Sequence, residues 1–358
     1  MRTDREFSDE PTRLANTVVP LFRAQNAAFE QVSQPGRNRV DLLAGVEAQD
    51  DCAVFRFRGD HELVVGSDYV RGPKFRLYEM GHLDEYDLGY YLVAANLSDI
   101  AAMGARPIGL LSVVRYPPDM TDAVFRRVLE GIRDACAAWE CPNVGGDIGG
   151  AERLILSASA LGVCPAGGTL FRTGAKPGDA ICLTAATGFA GAAMAYLRAA
   201  DPHPLIEETH LETMLAYWRR PVARIESGLA LSASGVVTSC QDTSDGLKAA
   251  LAGLAQAGAV GVEVQEKALQ VPDAVSAVAA HLGLDPLSVV LGDSVDFELL
   301  FTAPEDQLGL LAGRLDFHQV GVVTERRDVV LVREDGTRAE LPGKAWRHTP
   351  RDPADVGA

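Results

Sequence analysis

The chain has 358 residues, 47% hydrophobic and 23% charged, with 35 glycines and a formal net charge of −16. That length admits two domains, each with its own core, and the acidic balance argues against nucleic acid or an anionic membrane surface as the main partner. No apolar run reaches the roughly 18–20 residues that cross a bilayer, the charged start MRTDREFSDEPTR lacks the apolar core of a secretory signal, and the six cysteines show no C-x-x-C or zinc spacing, so a cytoplasmic protein with reduced, mostly buried thiols is expected.

Residues 1–40 read as a polar N-terminal extension with one helix around Thr17–Gln31. CAVFRF and ELVVGSD, separated by the turn RGDH, form a hairpin that leaves Asp68 at a strand's C-terminal end. The stretch YVRGPKFRLYEMGHLDEYD reads as a polar loop. LGYYLVAANLSDIAAMGA is an apolar, buried helix stopped at Gly104, and an Asp inside it needs a partner. IGLLSVVRY is a strand, DAVFRRVLEGIRDACAAW an amphipathic helix, PNVGGDIGG a glycine loop and RLILSASALGVCP a strand, closing a first unit at residues 41–165. A second unit, 166–348, opens on GAKPGD as a tight turn between two short strands. It continues through the helices TGFAGAAMAYLRAA and ARIESGLALSAS to GVVTSCQDTSDGLKAALAGLAQAG, read as strand, acidic loop and helix. VGVEVQ, VVLGDSVDFELLFTAP and VVLVRE supply further strands, and 349–358 is a tail.

One residue type recurs where these elements end. Asp50 and Asp51, Asp68, Asp99, Asp147, and Asp242 with Asp245 all follow an apolar strand or lie in or beside a helix. Each has an ordinary local explanation: a solvated turn for Asp50–Asp51, a buried polar pair for Asn96 and Asp99, a glycine turn around Asp147, and a cap by Ser244 or Asp245 on the helix beginning at Gly246. Taken together they suggest loops converging on one site. Crowded carboxylates repel unless cations sit between them. Mg²⁺ is the natural choice, commonly arriving with a polyphosphate. The G-x-x-x-x-G-K-[ST] phosphate loop is absent, and Gly145, Gly146 and their neighbours have the backbone freedom to wrap a ligand closely.

The blocks VAANLSDIAAMGARP, NVGGD, FRTGAKPGD and strand–DTSDGL–helix, in this order over roughly residues 45–348, resemble the thiamine-monophosphate kinase family of the aminoimidazole-ribonucleotide synthetase-like superfamily. The resemblance implies two α/β (α+β) domains and a homodimer whose N-terminal strands build a β-barrel-like interface. It implies ATP held in an interdomain cleft through Mg²⁺ ions on Asp50, Asp51, Asp68, Asp99, Asp147, Asp242 and Asp245. Asp147 and Asp245 take the catalytic roles, and Asn96, Gly145, Gly146, Arg172 and Ser244 the nucleotide contacts; Ser67 also matches a family polar contact. The implied reaction moves the γ-phosphoryl group of ATP onto the phosphate of thiamine monophosphate. Donor, acceptor and transition state are all anionic, so charge neutralisation and in-line positioning carry such chemistry.

The acceptor side departs from the family pattern. Lys74 replaces a His in Gly72-Pro73-Lys74-Phe75, and Lys is one of only five in the chain. The family's Gly-Gly-Glu-Asp-Tyr-Glu-Leu stands here as Asp293-Ser294-Val295-Asp296-Phe297-Glu298-Leu299, keeping Asp296 and Glu298 but losing two glycines and an acid. Trp346 could stack on an aromatic substrate ring or simply pack. Lys74, Asp296, Glu298 and Trp346 are therefore the expected substrate-side residues. Two other readings stay open: a superfamily enzyme activating an amide or carboxyl oxygen for C–N bond formation, and a nucleotide-binding regulatory dimer without turnover.

Overall fold

The computed structural model describes residues 41–44, 50–56, 59–70, 73–199 and 206–344. The expected helix around Thr17–Gln31 and Trp346 lie outside these residues, and so does the side chain of Lys74. Strands β1 (Asp41–Ala44), β2 (Ala53–Arg56), β3 (His61–Tyr69), β4 (Arg106–Tyr116), β5 (Asn143–Gly150) and β6 (Ile155–Pro165) form a six-stranded sheet ordered β1-β2-β3-β6-β4-β5. Only β4 and β5 run parallel; the other neighbours are antiparallel. The β2–β3 pair is the expected hairpin, with Ala53 opposite Val65.

Two expectations fail in this half. The segment expected as a polar loop contains a helix, α1 (Pro73–Glu79), so Lys74 sits in a helical first turn. The expected glycine loop is the edge strand β5, paired through Asp147 with Val113. A run rich in glycine offers no alternation of side chains to mark a strand, yet its backbone pairs like any other.

Helix α2 (Glu85–Ala102) crosses this sheet and touches β3, β6, and elements of the second half. Its start is fixed by a reciprocal cap: Asp84 accepts the Asp87 N–H and Asp87 accepts the Asp84 N–H, each at 2.9 Å. Its sequence is apolar nearly all round because it is buried nearly all round. Helix α3 (Asp122–Ala138) buries Val128, Gly131, Ile132, Ala135 and Cys136, a stripe at helical spacing that faces α2. The two helices touch backbone to backbone: a Cβ on Gly131 would run into the Tyr86 carbonyl. Alanine is the better helix former by about 1 kcal/mol, but overpacking against an immovable backbone costs about 3 kcal/mol. Gly131→Ala is thus expected to lower stability by roughly 2 kcal/mol in urea unfolding, and a stabilised variant would refute this packing.

The second half holds a seven-stranded sheet ordered β13-β12-β9-β11-β7-β10-β8, built from β7 (Asp179–Leu183), β8 (Ser239–Asp242), β9 (Gly261–Gln265), β10 (Leu299–Pro304), β11 (His318–Thr324), β12 (Val329–Val332) and β13 (Arg338–Glu340). Around it lie α4 (Phe189–Leu197), α5 (Glu208–Arg219), α6 (Ile225–Ser234), α7 (Leu247–Gly258), α8 (Asp273–Leu282) and α9 (Pro286–Val290). All of β7 is buried, since both faces of the sheet are covered. Ile181, Leu183, Val262, Val264, Leu300 and Leu331 join Leu251 and Leu254 of α7 in one core, while Cys182, Cys240 and Phe301 join the larger core that extends into the first half.

Three further expectations are corrected here. GAKPGD does make a turn, with Asp179 N–H donating to the Lys176 carbonyl at 2.9 Å, but no strand precedes it. Val289–Leu291 does not begin a strand: Asp285 caps and Pro286 opens α9 there, and only Leu299–Pro304 is extended. Helix α7 begins after Gly246 at φ 87°, so the N-cap position is held by a glycine rather than by Ser244 or Asp245.

The connection between the sheets is tied down. Glu62 on β3, 1% exposed, accepts from Arg56 at 2.7 Å, from the Gly167 N–H at 3.0 Å and from the Thr169 hydroxyl at 2.5 Å. The Leu170 N–H donates to the Met103 carbonyl at 3.0 Å, and the Ser232 hydroxyl donates to the Gly168 carbonyl at 2.7 Å.

Candidate active site

The acids come together where elements of both halves end. One carboxylate oxygen each from Asp51 (entering β2), Asp99 (in α2) and Asp242 (ending β8) lie within 4.8 Å of one another. Asp50 lies beside them, accepting the Asp51 N–H at 2.9 Å and the Arg172 N–H at 3.1 Å. The Arg172 guanidinium pairs with Asp51. Gly66 on β3 makes the approach possible, because a Cβ there would collide with Cys52 Sγ and reach the Cβ of Asp99. Asp242 is gripped by hydroxyls: Ser98 donates to Oδ2 at 2.6 Å and Ser244 to Oδ1 at 2.8 Å.

These carboxylates are costly to keep ionised so close together. Burial, then the Asp51 charge, pushes Asp50 up to about 6. Burial and Asp51 likewise push Asp242 up to about 7, against the hydrogen bonds from Ser98 and Ser244. Asp99 rises well above the usual carboxylate range through burial and the charges of Asp242, Asp51 and Asp68. The same surroundings keep Cys52 and Cys240 as neutral thiols, and all six cysteines are buried and free.

A hard divalent cation suits this donor set. The carboxylates supply oxygen ligands only. Asp51 has a side chain 2% exposed, and its Oδ2 is buried with no hydrogen-bond partner among the described residues. A buried carboxylate oxygen left so is expensive, and a cation at the cluster would satisfy it.

The remaining expected residues take other places. Asp68 stands next to the cluster, its carboxylate accepting the Tyr69 N–H at 2.7 Å and its own N–H donating to Asn96 Oδ1 at 3.0 Å. Asn96 is 1% exposed and also donates to the Leu92 carbonyl at 2.9 Å, so it braces Asp68 from beneath. Ser67 donates to the Ala158 carbonyl at 2.7 Å. Asp147 is not among the clustered acids; on the exposed edge strand it pairs with Arg115 at 2.6 Å, which holds it below the ordinary range. Gly145 and Gly146 share that strand, and Gly146 presses on the Ser112 carbonyl with no room for a Cβ. Asp245 is exposed on the loop after β8.

Asp296 and Glu298 are fully enclosed. Asp296 accepts the Gly188 and Ala190 N–H groups at 2.6 and 3.0 Å, anchoring the start of α4, and burial pushes it up to about 6. Ser294 accepts the Gly191 N–H at 2.8 Å. Glu298 accepts from Thr184 at 2.6 Å and from Arg224 Nε at 2.8 Å. Between them Phe297 holds φ 55°, a backbone conformation bulky residues seldom adopt, and its ring meets Tyr91 edge-on at 5.4 Å. A groove of about 430 Å³ runs past Arg106, Trp139, Val222 and Arg224, and none of the clustered acids lines it. Ser98 is the member of the site that sequence reasoning left without a role; a hydroxyl inside a helix buried nearly all round was the available signal, since it needs an acceptor somewhere.

Two mixed α/β halves, with acids from both meeting at one point, define the class: this is an AIR-synthase-related protein. The AIR synthase related protein N-terminal domain matches residues 49–164, and the C-terminal domain matches residues 176–334. Within that class the chain belongs to the thiamine-monophosphate kinase family. It is 32% identical to the thiamine-monophosphate kinase of Pyrococcus abyssi over 263 residues, 73% of this chain and 79% of the relative. It is 30% identical to that of Escherichia coli K12 over 318 residues, 87% of this chain and 93% of the relative. Among solved structures, AaThiL complexed with AMPPCP and TMP superposes with a TM-score of 0.72 at 25% identity, covering 84% of this chain and 91% of that one.

Proposed function

We propose that this chain transfers the γ-phosphoryl group of ATP directly onto the phosphate of thiamine monophosphate, releasing ADP and thiamine diphosphate. The new bond joins an acceptor phosphate oxygen to Pγ, and the Pγ–O bond to the ADP leaving group breaks. The observation that carries the reading is the meeting of Asp51, Asp99 and Asp242, drawn from both halves of the chain, in a member of this kinase family.

Asp51, Asp99 and Asp242 would hold Mg²⁺, with Asp50 and Asp68 beside them; the exposed Asp147 and Asp245 are proposed to complete the set around the nucleotide. Bound Mg²⁺ supplies neutralisation of the phosphate charge. Arg172, paired with Asp51, offsets part of the carboxylate repulsion. Asp296 and Glu298 are proposed to shape the acceptor side from within, through α4 and Arg224, while Lys74 and Trp346 are proposed to meet the substrate.

A homodimer is proposed through the apolar edge of the first sheet: Val144 and Ile148 on edge strand β5 are each 60% exposed, and Ile108 and Leu111 are exposed on neighbouring β4. No helix among the described residues is long and apolar enough to cross a membrane, and the six free thiols support a reducing, cytoplasmic setting.

Incubation with γ-labelled ATP, Mg²⁺ and thiamine monophosphate tests the reading. Label in thiamine diphosphate with matching ADP is the expected result. Label appearing only with another acceptor would reject thiamine monophosphate as the substrate, and nucleotide binding with no transfer across a metabolite panel would reject the kinase.

A further inference from the structure

Ser98 precedes Asp99 on α2, is 0% exposed, and its hydroxyl donates to Oδ2 of Asp242 at 2.6 Å. The bond spans 144 residues of sequence and joins the two halves. Consecutive helical residues project about 100° apart, so one turn of α2 can offer a carboxylate in one direction and hold a second carboxylate in another. The opposite oxygen of Asp242 is held by Ser244 of its own loop. Two residues before Ser98, Asn96 performs a similar service for Asp68, whose N–H it accepts at 3.0 Å. Asn96 through Asp99 therefore form a template: one stretch of helix braces Asp68, grips Asp242 and contributes Asp99.

We propose that Ser98 is a positioning residue for the divalent-cation site, fixing Asp242 relative to Asp99 across the boundary between the halves and thereby setting the affinity for the cation. The inference rests on the cation-binding reading given under the proposed function. A purely structural Ser98, a buried hydroxyl that merely needed an acceptor, would affect stability and leave cation affinity alone. Groups that orient the ligands of a metal typically change affinity by 10–100-fold when removed.

The test is Mn²⁺ binding to the full chain without nucleotide, followed by electron paramagnetic resonance or calorimetry, at a temperature where circular dichroism shows each protein folded. Ser98→Ala is expected to bind Mn²⁺ about 10–100-fold more weakly than wild type. Ser98→Cys, near in volume but a weak donor, is expected to behave likewise, and it serves if the alanine variant does not fold. Wild-type affinity in a folded Ser98 variant, within about threefold, overturns the proposal while leaving the cation site standing. Wild-type protein that binds no Mn²⁺ overturns the cation reading itself. A lowered transfer rate with unchanged Mn²⁺ affinity also overturns the positioning role.

Discussion

Asp242→Asn should weaken divalent-cation binding and phosphoryl transfer by more than about 100-fold while the metal-free protein stays folded. The lower bound follows from the cost of losing mere supporting groups at metal sites, about 10–100-fold; a ligand itself should count for more. Folding survives because Asp242 is already unhappy as an anion, pushed to about 7 by burial and by Asp51. Removing the charge relieves that repulsion, and an amide can still accept from Ser98 or Ser244. Metal-free stability, measured by urea unfolding at pH 8 with chelator present, should therefore hold or rise. Undiminished turnover in this variant would sink the shared-cation site, and collapse of the fold would sink the account of its electrostatics.

The second large effect is a pH dependence opposite to that of a protein held together by carboxylate ion pairs. With chelator present, stability should fall as pH rises from about 4 to about 7. Asp50 and Asp296 sit at about 6 and Asp242 at about 7 in the folded state, each from an ordinary value of 3.8. Between those limits the folded protein retains protons that the unfolded chain has released, so each step upward in pH favours unfolding. Moving one carboxylate from 3.8 to about 7 amounts to roughly 4 kcal/mol at full ionisation. Below about pH 4 the trend reverses, because Glu62 and Asp84 have values held below the ordinary range and lose their stabilising ionisation there. Mg²⁺ at 100 times its dissociation constant should restore about 2.7 kcal/mol at pH 8 and little at pH 5, where protons compete for the same oxygens. Thermal melts at the two pH values, with chelator and with Mg²⁺, read both effects. A flat profile in chelator would contradict the burial assigned to these acids.

The gathering of Asp50, Asp51, Asp99 and Asp242 was legible because each lies in or beside an apolar strand or helix, and such elements converge in a layered fold. Asp147 was not legible in the same way: a glycine-rich strand shows no pattern of side chains, so its place on an exposed edge beside Arg115 emerges only from the pairing of β5 with β4. Helix α9 reads as strand because the run is short and Val289 and Val290 are β-branched, although the preceding Asp285-Pro286 is a helix-start signal. The partners of Ser98 and Arg172 stand 144 and 121 residues away, and no local pattern encodes such distances. The physical meaning of the late motif needed coordinates: Asp296 and Glu298 are spent on internal contacts, and Phe297 occupies a backbone region its side chain disfavours.

The Glu62 tether carries a mechanical consequence. Domain closure by a hinge needs a few residues free to change their backbone angles. Here the short crossing segment is pinned at Gly167 and Thr169 by Glu62, at Gly168 by Ser232, and at Leu170 by Met103. Residues 167–170 are therefore ill suited to act as a hinge, since a change in their backbone angles would first have to break these four bonds. A mutation that removes the Glu62 carboxylate is expected to loosen that restraint on the spacing between acids of opposite halves, and so to blunt cation affinity from a distance without touching a single ligand.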